Sequence, residues 1–333
     1  MSLFRPSELL EFLRSIGARP KKSLSQNFLV DGNIVQKIVR ASIGSSRPLI
    51  VEIGPGAGVL TEAFLEKGLR VVAVEKDEKL ARALSRLDST TEQLEVFSQD
   101  IRSCSLPDLI GASEDVVVVS SLPYHITRSI LEWFILFRDF FSRSVIVVQD
   151  EVAQKLLQTQ VAPHSVSGDE RRGRDANVAT RVRVASLAEE QHEVDRSLQP
   201  FHERNRAQCG FQDHKPSSYM QVALSLFFDL SYLCRVRASS FYPAPKVDSA
   251  VLVLDSKKPL IREKERQEAF LAFVATAFSH KRKVVRRSLL KFAEKEAVEK
   301  ALLPFGLNIR PEEIRCDQWI ELFCALEKDF LAK

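Results

Sequence analysis

Residues 49–58 read Leu49-Ile50-Val51-Glu52-Ile53-Gly54-Pro55-Gly56-Ala57-Gly58. The stretch is a short apolar run that ends in glycines, and residues 59–67 after it have a helical pattern closed by Gly68. A strand, a tight turn and a helix in succession open a nucleotide-binding α/β sheet, because glycines let the backbone turn sharply and approach a ligand closely. A glycine-rich turn without a ligand is the alternative interpretation.

The same alternation continues along the chain. Further strands are predicted at 70–74, 94–97, 116–119, 145–148 and 251–254, and further helices at 78–87 and 129–140. Strands that are apolar throughout and alternate with helices predict a parallel sheet covered on both faces. After residue 257 the pattern is wholly helical. The predicted fold is therefore α/β, with a small all-helical domain at the C-terminus.

The domain boundaries follow from these patterns. A first domain is predicted at 1–256 and a helical, RNA-contacting domain at 257–333, with a flexible insertion at 158–214 inside the first. The insertion has no Lys, eight Arg, nine acidic residues and four His, without sustained apolar periodicity. A solvated loop is favoured over a segment whose arginines touch RNA. Its histidines match no metal-ligand spacing, and no metal site is predicted.

Composition excludes several classes of protein. The chain has 333 residues, 45% of them hydrophobic and 28% charged, and five Cys without a C-x-x-C pair. These values exclude a disordered polymer and a disulfide scaffold. No apolar run reaches the ~18 residues of a membrane span, and the start of the chain does not resemble a secretory signal. A cytoplasmic protein with no membrane partner, acting as a monomer, is expected.

The formal net charge of +4 is unevenly distributed. Residues 1–50 carry 8 basic and 3 acidic side chains, residues 257–333 carry 17 and 12, and the intervening segment carries 23 and 29. Chance sampling of surface charges and a polyanion held by the two ends both account for this split.

Acidic residues near three strand ends indicate the cofactor. Glu52 precedes the first glycine by two residues, Glu75 follows the second strand and Asp100 the third. Glu75 suits ribose hydroxyls and Asp100 an adenine amino group. Glu52 would repel a pyrophosphate but suits a cationic amino-acid end. S-adenosylmethionine is therefore favoured over NAD.

A second loop has the residues that a methyl acceptor needs. Ser121-Leu122-Pro123-Tyr124 follows the apolar fourth strand. The Ser121 hydroxyl and the Leu122 carbonyl would accept the N–H groups of a base amine, and Tyr124 would stack on the base. Positioning supplies most of the rate gain, so no strong base is needed. A proline turn with a packing tyrosine is the alternative.

Basic clusters near both ends of the chain predict RNA contacts. Lys281, Arg282, Lys283, Arg286 and Arg287 have helical spacing, and residues 282, 283, 286 and 287 are expected on one face. Lys21 and Lys22 offer a second basic site. Solvated helix faces are the alternative, but acids are absent between 269 and 293.

Taken in order, the motifs resemble the KsgA-type ribosomal small-subunit adenine-N6,N6 dimethyltransferases, which are related to the erythromycin-resistance methylases. The similar segments are 25–29 (Ser-Gln-Asn-Phe-Leu), 52–58, Glu75, Asp100, 122–124, 149–153 (Gln-Asp-Glu-Val-Ala), 240–249 (Ser-Phe-Tyr-Pro-Ala-Pro-Lys-Val-Asp-Ser) and 278–283. The segment at 240–249 is far more specific than the glycine loop.

The resemblance implies a Rossmann-like methyltransferase domain and transfer of two methyl groups to each of two adjacent adenosines. These lie in a hairpin loop near the 3′ end of the small-subunit rRNA, so an immature small subunit is the implied partner. Phe241 would face Tyr124 across the flipped adenine. The implied cofactor contacts are Gln26, Asn27, Leu29, Glu52, Gly54, Gly56, Gly58, Glu75, Lys76, Asp100, Ile101 and Ser121.

Two departures from the family pattern keep other functions open. Ser121 stands where the family has Asn, and losing one well-placed acceptor costs about 1–3 kcal/mol. The insertion replaces a short loop. A ribosome-assembly or RNA-binding factor without catalysis is the main alternative, and a nicotinamide-dependent oxidoreductase is a second, which Glu52 disfavours.

Overall fold

The structure is a computed structural model that describes residues 3–21, 24, 26–44, 47–87, 93–113, 115–121, 126–157, 218–279 and 283–331. All of these belong to one compact unit. The predicted insertion at 158–214 lies outside the described residues, as do Lys22, Leu122, Tyr124, Lys281 and Arg282.

Helices and strands alternate through most of the chain, as predicted. The helices are α1 (Pro6–Ser15), α2 (Gly32–Ile43), α3 (Val59–Leu65), α4 (Glu78–Ala83), α5 (Leu106–Ile110), α6 (Thr127–Leu136), α7 (Asp150–Leu157), α8 (Tyr219–Phe227), α9 (Lys264–Phe278), α10 (Val285–Leu289), α11 (Lys295–Leu302) and α12 (Cys316–Leu331). The strands are β1 (Phe28–Leu29), β2 (Leu49–Ile53), β3 (Val71–Val74), β4 (Leu94–Phe97), β5 (Val116–Ser121), β6 (Arg143–Gln149), β7 (Phe228–Val236), β8 (Phe241–Tyr242) and β9 (Ser249–Ser256).

Seven strands form the central sheet in the order β4-β3-β2-β5-β6-β9-β7. The five strands from β4 to β6 are parallel, and β2 is fully buried between β3 and β5. Two apolar clusters cover the two faces of the sheet, so residues of both alternating sets along β2 are buried. This explains the continuous apolar runs, and the prediction of a sheet covered on both sides is confirmed.

The edge of the sheet differs from the prediction of an all-parallel arrangement. β9 pairs antiparallel with both β6 and β7, and no strand was predicted at β7. Apolar Phe228 and Leu230 alternate there with polar Asp229 and Ser231, which is typical of a strand with one exposed face. The short helix α8 precedes β7 directly and conceals this alternation within a longer apolar run.

The C-terminal helices share a core with the sheet. Phe270 and Phe273 of α9 pack against Trp319 and Phe323 of α12 in the same apolar cluster as β2 and β5. Buried Arg138 donates a 2.8 Å hydrogen bond to Gln267 of α9. The all-helical region is confirmed, and a domain boundary at residue 257 stays a prediction.

Two features place the functional site. The carboxyl ends of β2, β3, β4 and β5 lie side by side, because parallel neighbours end at the same edge of a sheet. Beside this edge, β1 and β8 form a separate two-stranded antiparallel sheet. No helix in the part of the chain that the structure describes has the length and hydrophobicity to cross a membrane.

Candidate active site

A cleft opens at the carboxyl ends of the parallel strands and gathers most of the predicted site. Its walls come from β1, the glycine loop, the ends of β3, β4 and β5, and β8. The predicted residues that line it are Gln26, Asn27, Leu29, Glu52, Gly54, Gly56, Glu75, Lys76, Asp100, Ile101, Ser121 and Phe241. Residues far apart in the sequence therefore converge on one cleft.

The three glycines of the loop have positive φ angles but different surroundings. A Cβ at Gly54 would meet no atom within 4 Å, whereas one at Gly56 would lie 3.0 Å from the Phe28 ring. A Cβ at Gly58 would lie 2.6 Å from Leu84, behind the loop. Gly58 does not line the cleft as described. Gly54 thus leaves space for a ligand, while the absence of a side chain at Gly58 allows close packing of Leu84. A cofactor contact at Gly58 stays a prediction.

Glu52 is a buried carboxylate in the floor of the cleft. It is 2% exposed, and Thr61 Oγ1 of α3 donates a 2.6 Å hydrogen bond to its Oε2. Burial raises the pKa of Glu52 from 4.5 to about 7; the bond from Thr61 opposes this rise, and the charge of Glu75 adds to it. A cation bound beside Glu52 would restore its charged form.

Glu75 is held in place by backbone groups. Gly56 N–H donates to Oε2 at 3.0 Å, and Asp77 N–H donates to Oε1 at 2.8 Å. Burial raises the pKa of Glu75, and these two hydrogen bonds oppose the rise. The carboxylate is therefore fixed between the glycine loop and the start of α4, with lone pairs left to accept hydroxyl groups.

Asp100 is engaged by two cations at the rim of the cleft. Arg102 donates to Oδ1 from its backbone N–H and Nε, both at 3.0 Å, and to Oδ2 from Nη2 at 2.6 Å. Lys76 Nζ donates to Oδ2 at 3.0 Å. The bonds from Arg102 are the main reason that the pKa of Asp100 lies below its ordinary value. A carboxylate offers about four acceptor positions, so a further donor displaces one of these groups.

Lys21 has an internal partner. Its Nζ lies 2.7 Å from Oδ2 of buried Asp77, which also accepts a 3.3 Å bond from Gln26. Burial acts to raise the pKa of Asp77, but the bonds from Lys21 and Gln26 lower it overall. Lys21 therefore ties the segment before β1 to α4, and its predicted contact with RNA stays a prediction.

The acceptor side of the cleft is described in part. Ser121 ends β5 and lines the cleft, and Phe241 of β8, 4% exposed, lines it too. Ser120 beside it turns away and donates a 3.0 Å hydrogen bond to the Ile53 carbonyl. Leu122 and Tyr124 lie outside the described residues. The structure thus brings Ser121 and Phe241 into the same cleft as the three carboxylates.

The predicted basic helix face is not a single helix. α9 ends at Phe278 and α10 begins at Val285, after extended Val284. Val285 and Leu289 of α10 are buried, and Val285 N–H donates a 2.9 Å hydrogen bond to the Ile309 carbonyl, which fixes the start of α10 as a separate helix.

The described cations of this cluster differ in availability. Lys283 and Arg287 are exposed. Arg286 forms a 3.0 Å ion pair with Glu299 of α11. The absence of acids between 269 and 293 did not reveal this partner, because Glu299 comes from the next helix. Lys281 and Arg282 lie outside the described residues.

The polar groups of the cleft decide which ligand it fits. Three carboxylates face one cleft whose glycine wall at Gly54 is open, and no cluster of metal-ligating residues exists among the described residues. Such a site suits a nucleoside that carries a cation and has hydroxyl and amino donors. Ionised Glu52 beside the glycine loop would repel a pyrophosphate, which argues against a nicotinamide dinucleotide.

The sequence profile of the family described as "Ribosomal RNA adenine dimethylase" matches residues 17–165 and 199–328. The chain belongs to this family. Its members are S-adenosylmethionine-dependent methyltransferases that act on rRNA, so the resemblance, the cofactor and the enzyme class predicted from the sequence are confirmed. The unmatched gap, 166–198, falls inside the predicted insertion.

Individual relatives align with almost the whole chain. The chain is 34% identical to "Ribosomal RNA small subunit methyltransferase A" of Protochlamydia amoebophila (strain UWE25), with 97% of each chain covered. It is 30% identical to the protein of the same name from Chlamydia abortus (strain DSM 27085 / S26/3), with 98% of this chain and 99% of the relative covered.

Solved structures confirm the methyltransferase fold. The 23S rRNA methyltransferase ErmE superposes with a TM-score of 0.61 at 23% identity, covering 90% of this chain and 100% of that one. A dimethyladenosine transferase from Plasmodium falciparum superposes with a TM-score of 0.60 at 20% identity, covering 91% and 98%.

Several residues of the cleft and its supports were not predicted. Thr61 and the Asp77 backbone donate hydrogen bonds to Glu52 and Glu75, respectively. Arg102 donates hydrogen bonds to Asp100. Arg86 of the turn after α4 donates a 2.6 Å bond to the Ala57 carbonyl from behind the glycine loop. The only signal in the sequence was proximity to the acidic residues, which is common to many surface positions.

Proposed function

We propose that this protein transfers methyl groups from S-adenosylmethionine to N6 of two adjacent adenosines. We place these in the 3′-terminal hairpin loop of small-subunit (16S) rRNA, giving N6,N6-dimethyladenosine and aiding subunit biogenesis. One observation carries the proposal: the cofactor carboxylates and the acceptor residues Ser121 and Phe241 line one cleft in a member of the rRNA adenine dimethylase family. Relatives named for the small subunit support that choice of rRNA.

The cofactor, when bound, supplies an electrophilic methyl group on a sulfonium. In this proposal Glu52 pairs with the ammonium of its amino-acid end, and Glu75 accepts the ribose hydroxyls. Asp100 accepts a hydrogen bond from the adenine amino group once Lys76 or Arg102 gives up its hydrogen bond to the carboxylate. Gly54 leaves room for close approach of the cofactor, and the absence of a side chain at Gly56 leaves room for the Phe28 ring. These carboxylates orient the methyl group toward the acceptor side.

The acceptor residues orient the nucleophile. The lone pair of an adenine amine is delocalised into the ring, so the amine attacks only when its hydrogens are held out of the plane. Ser121 Oγ would accept one N–H, and Phe241 would stack on the base. Leu122 and Tyr124 complete this set in the proposal, and both lie outside the described residues. Orientation supplies most of the gain, and the methylated amine is acidic enough to release its proton to water, so no strong base is needed.

RNA contact is proposed for the basic residues at both ends of the chain. Exposed Lys283 and Arg287 are the described cations of the C-terminal cluster that best fit phosphate contact. Arg286 would have to leave Glu299 to join them. The same role is proposed for Lys22, Lys281 and Arg282. Lys21 is the weakest candidate for RNA contact, because it pairs with Asp77. The partner is the immature small subunit in the cytoplasm, and the protein acts as a monomer.

The test is a methylation assay. Purified protein is incubated with labelled S-adenosylmethionine and undermethylated small subunits, and dimethyladenosine is mapped in the rRNA. We expect two dimethylated adenosines, and a Glu75→Ala variant that transfers at least tenfold more slowly. Label in other nucleotides, or none despite cofactor binding, contradicts the proposal.

The Ser121 substitution supports a second candidate, an assembly factor with impaired catalysis. Serine is shorter than asparagine, so it holds the amine less firmly. If the parent protein binds small subunits without methylating them and Ser121→Asn restores transfer, this second function replaces the first.

A further inference from the structure

Two segments that are far apart in the sequence meet at the acceptor side of the cleft. Phe28 and Leu29 of β1 pair antiparallel with Tyr242 and Phe241 of β8. The ladder continues through Val30 N–H, which donates a 2.9 Å hydrogen bond to the Ser240 carbonyl. The backbone that carries Phe241 is therefore held by residues 28–30.

The same N-terminal segment is fixed at its other end to the cofactor side. Phe28 lies against Gly56, and Gln26 donates to Asp77, whose N–H holds Glu75. Phe28 is 7% exposed and Leu29 5%. Residues 26–31, which we term the bridging segment, thus connect the cofactor side of the cleft to the strand of Phe241.

One side-chain contact ties Phe241 to the bridging segment. Ser240 Oγ donates a 2.8 Å hydrogen bond to Asp31 Oδ2, and Ser240 is 8% exposed. Asp31 Oδ1 accepts from Asn33 N–H at 3.0 Å and Ile34 N–H at 3.3 Å, which caps α2. A single carboxylate therefore fixes both the start of α2 and the residue before Phe241. Hydrogen bonds to a charged acceptor are the stronger kind.

We propose that Ser240 and Asp31 are positioning residues for methyl transfer. Their hydrogen bond fixes the Phe241 ring where it stacks on the acceptor adenine. This inference rests on the proposed function, in which Phe241 contacts that base. Neither residue lines the cleft as described, so both act through Phe241 and not on the cofactor.

The proposal separates two quantities that a general structural role would change together. In our proposal Glu52, Glu75 and Asp100 make the main polar contacts to the cofactor, and the Ser240–Asp31 bond contacts none of them. Gln26 and Leu29 of the bridging segment are held separately, by Asp77 and by the ladder with β8. The rate of transfer depends on alignment of the amine with the methyl group, and small displacements there are costly. Loss of the bond should slow transfer and leave cofactor affinity unchanged.

The test compares four proteins in single-turnover methylation of undermethylated small subunits with labelled S-adenosylmethionine. They are the parent, Ser240→Ala, Asp31→Asn and the double variant. Asn caps helices about as well as Asp, so α2 keeps its cap. The control is Ser42→Ala, which removes a buried 2.8 Å hydrogen bond to Ile38 within α2. Calorimetry gives the affinity for S-adenosylhomocysteine, and thermal unfolding gives stability.

We expect the transfer rate of Ser240→Ala to fall about tenfold, with S-adenosylhomocysteine affinity within about twofold of that of the parent. The transfer rate of Asp31→Asn should fall by a smaller factor. The double variant should transfer no more slowly than Ser240→Ala, because both substitutions break the same hydrogen bond. Ser42→Ala should keep the parent rate.

With an active parent protein, three results would overturn the proposal. Unchanged rates in Ser240→Ala and Asp31→Asn mean that the bond does not position Phe241. Losses that multiply in the double variant mean that the residues act separately. A parallel loss of S-adenosylhomocysteine affinity means that the bond supports the whole cleft. A parent protein that methylates no RNA refutes the proposed function, and the inference falls with it.

Discussion

Replacing Glu52 by Gln should remove a pH dependence from cofactor binding. Glu52 is 2% exposed, and burial raises its pKa to about 7. In our proposal only the ionised carboxylate pairs with the ammonium of the cofactor. Protonation of Glu52 therefore competes with binding in the range where enzymes are assayed.

The magnitude follows from the fraction of ionised Glu52. With a pKa of about 7, the dissociation constant of S-adenosylhomocysteine should be about tenfold higher at pH 6 than at pH 8. The ligand's ammonium belongs to a free amino acid and loses its proton only above this pH range, so it stays charged throughout. Near pH 7 about half of the protein molecules carry a proton on Glu52, so binding should release about half a proton.

The assay is isothermal titration calorimetry with S-adenosylhomocysteine from about pH 5.5 to about pH 8. Repeating the titration in buffers of different ionisation enthalpy counts the protons released. Glu52→Gln should bind more weakly at pH 8 and show a flat profile. The matched control is Glu62→Gln: burial raises the pKa of Glu62 as well, but Glu62 lies outside the residues that line the cleft. It should keep the parent profile.

The same substitution should stabilise the folded protein without ligand. A carboxyl whose pKa is raised on folding binds its proton more tightly in the folded state. Its contribution to stability is therefore lost as pH rises from 4.5 through about 7. At pH 8, Glu52→Gln should be more stable than the parent by up to about 3 kcal/mol in urea unfolding.

Two results would refute this reasoning. A flat pH profile in the parent protein means that Glu52 is not the group whose ionisation controls binding. If Glu52→Gln still loses affinity for S-adenosylhomocysteine about tenfold between pH 8 and pH 6, another acid is the titrating group. Glu75 is the first to examine, because its pKa is raised too.

Three further predictions follow from the site. Lys76→Met should leave S-adenosylhomocysteine affinity undiminished in calorimetry, because Lys76 makes one bond to Asp100 and is displaced more easily than Arg102; a fivefold loss would mean that Lys76 contacts the cofactor. Gly58→Ala should lower the free energy of unfolding by about 2 kcal/mol, since its Cβ meets Leu84 at 2.6 Å and φ is +85°, with affinity unchanged in the folded protein. Lys283→Ala and Arg287→Ala should each reduce the salt dependence of rRNA binding by about one ion in filter binding, while Arg286→Ala should chiefly reduce stability through Glu299; equal salt slopes in all three contradict this.

Much of the cofactor side was predictable from the sequence. Glu52, Glu75 and Asp100 each lie at or just beyond a strand with an apolar pattern. Strands alternating with helices imply a parallel sheet, and parallel strands end at one edge. The three carboxylates therefore had to converge, and the structure places them in one cleft. The glycine loop was predictable for the same reason.

The bridging segment and β8 were not predictable as a unit. β1 and β8 have two residues each, which is too short for any periodicity, and their pairing joins Phe28 to Tyr242 across most of the chain. Charge partners were hidden in the same way. Lys21 finds Asp77, and Arg286 finds Glu299, only after the chain has folded. Charged residues are visible in a sequence, but the contacts that neutralise them are not.

The carboxylates of the cleft show why net charge was a weak guide to function. The segment between residues 51 and 256 is acidic overall and includes the three carboxylates of the cleft. In the structure, burial raises the pKa of Glu52 and Glu75, whereas Arg102 lowers the pKa of Asp100. The cleft therefore holds two carboxylates that favour protons and one already neutralised by cations. A cationic ligand gains affinity by restoring the charge of Glu52, and the unliganded protein tolerates the stability cost of burying this acid.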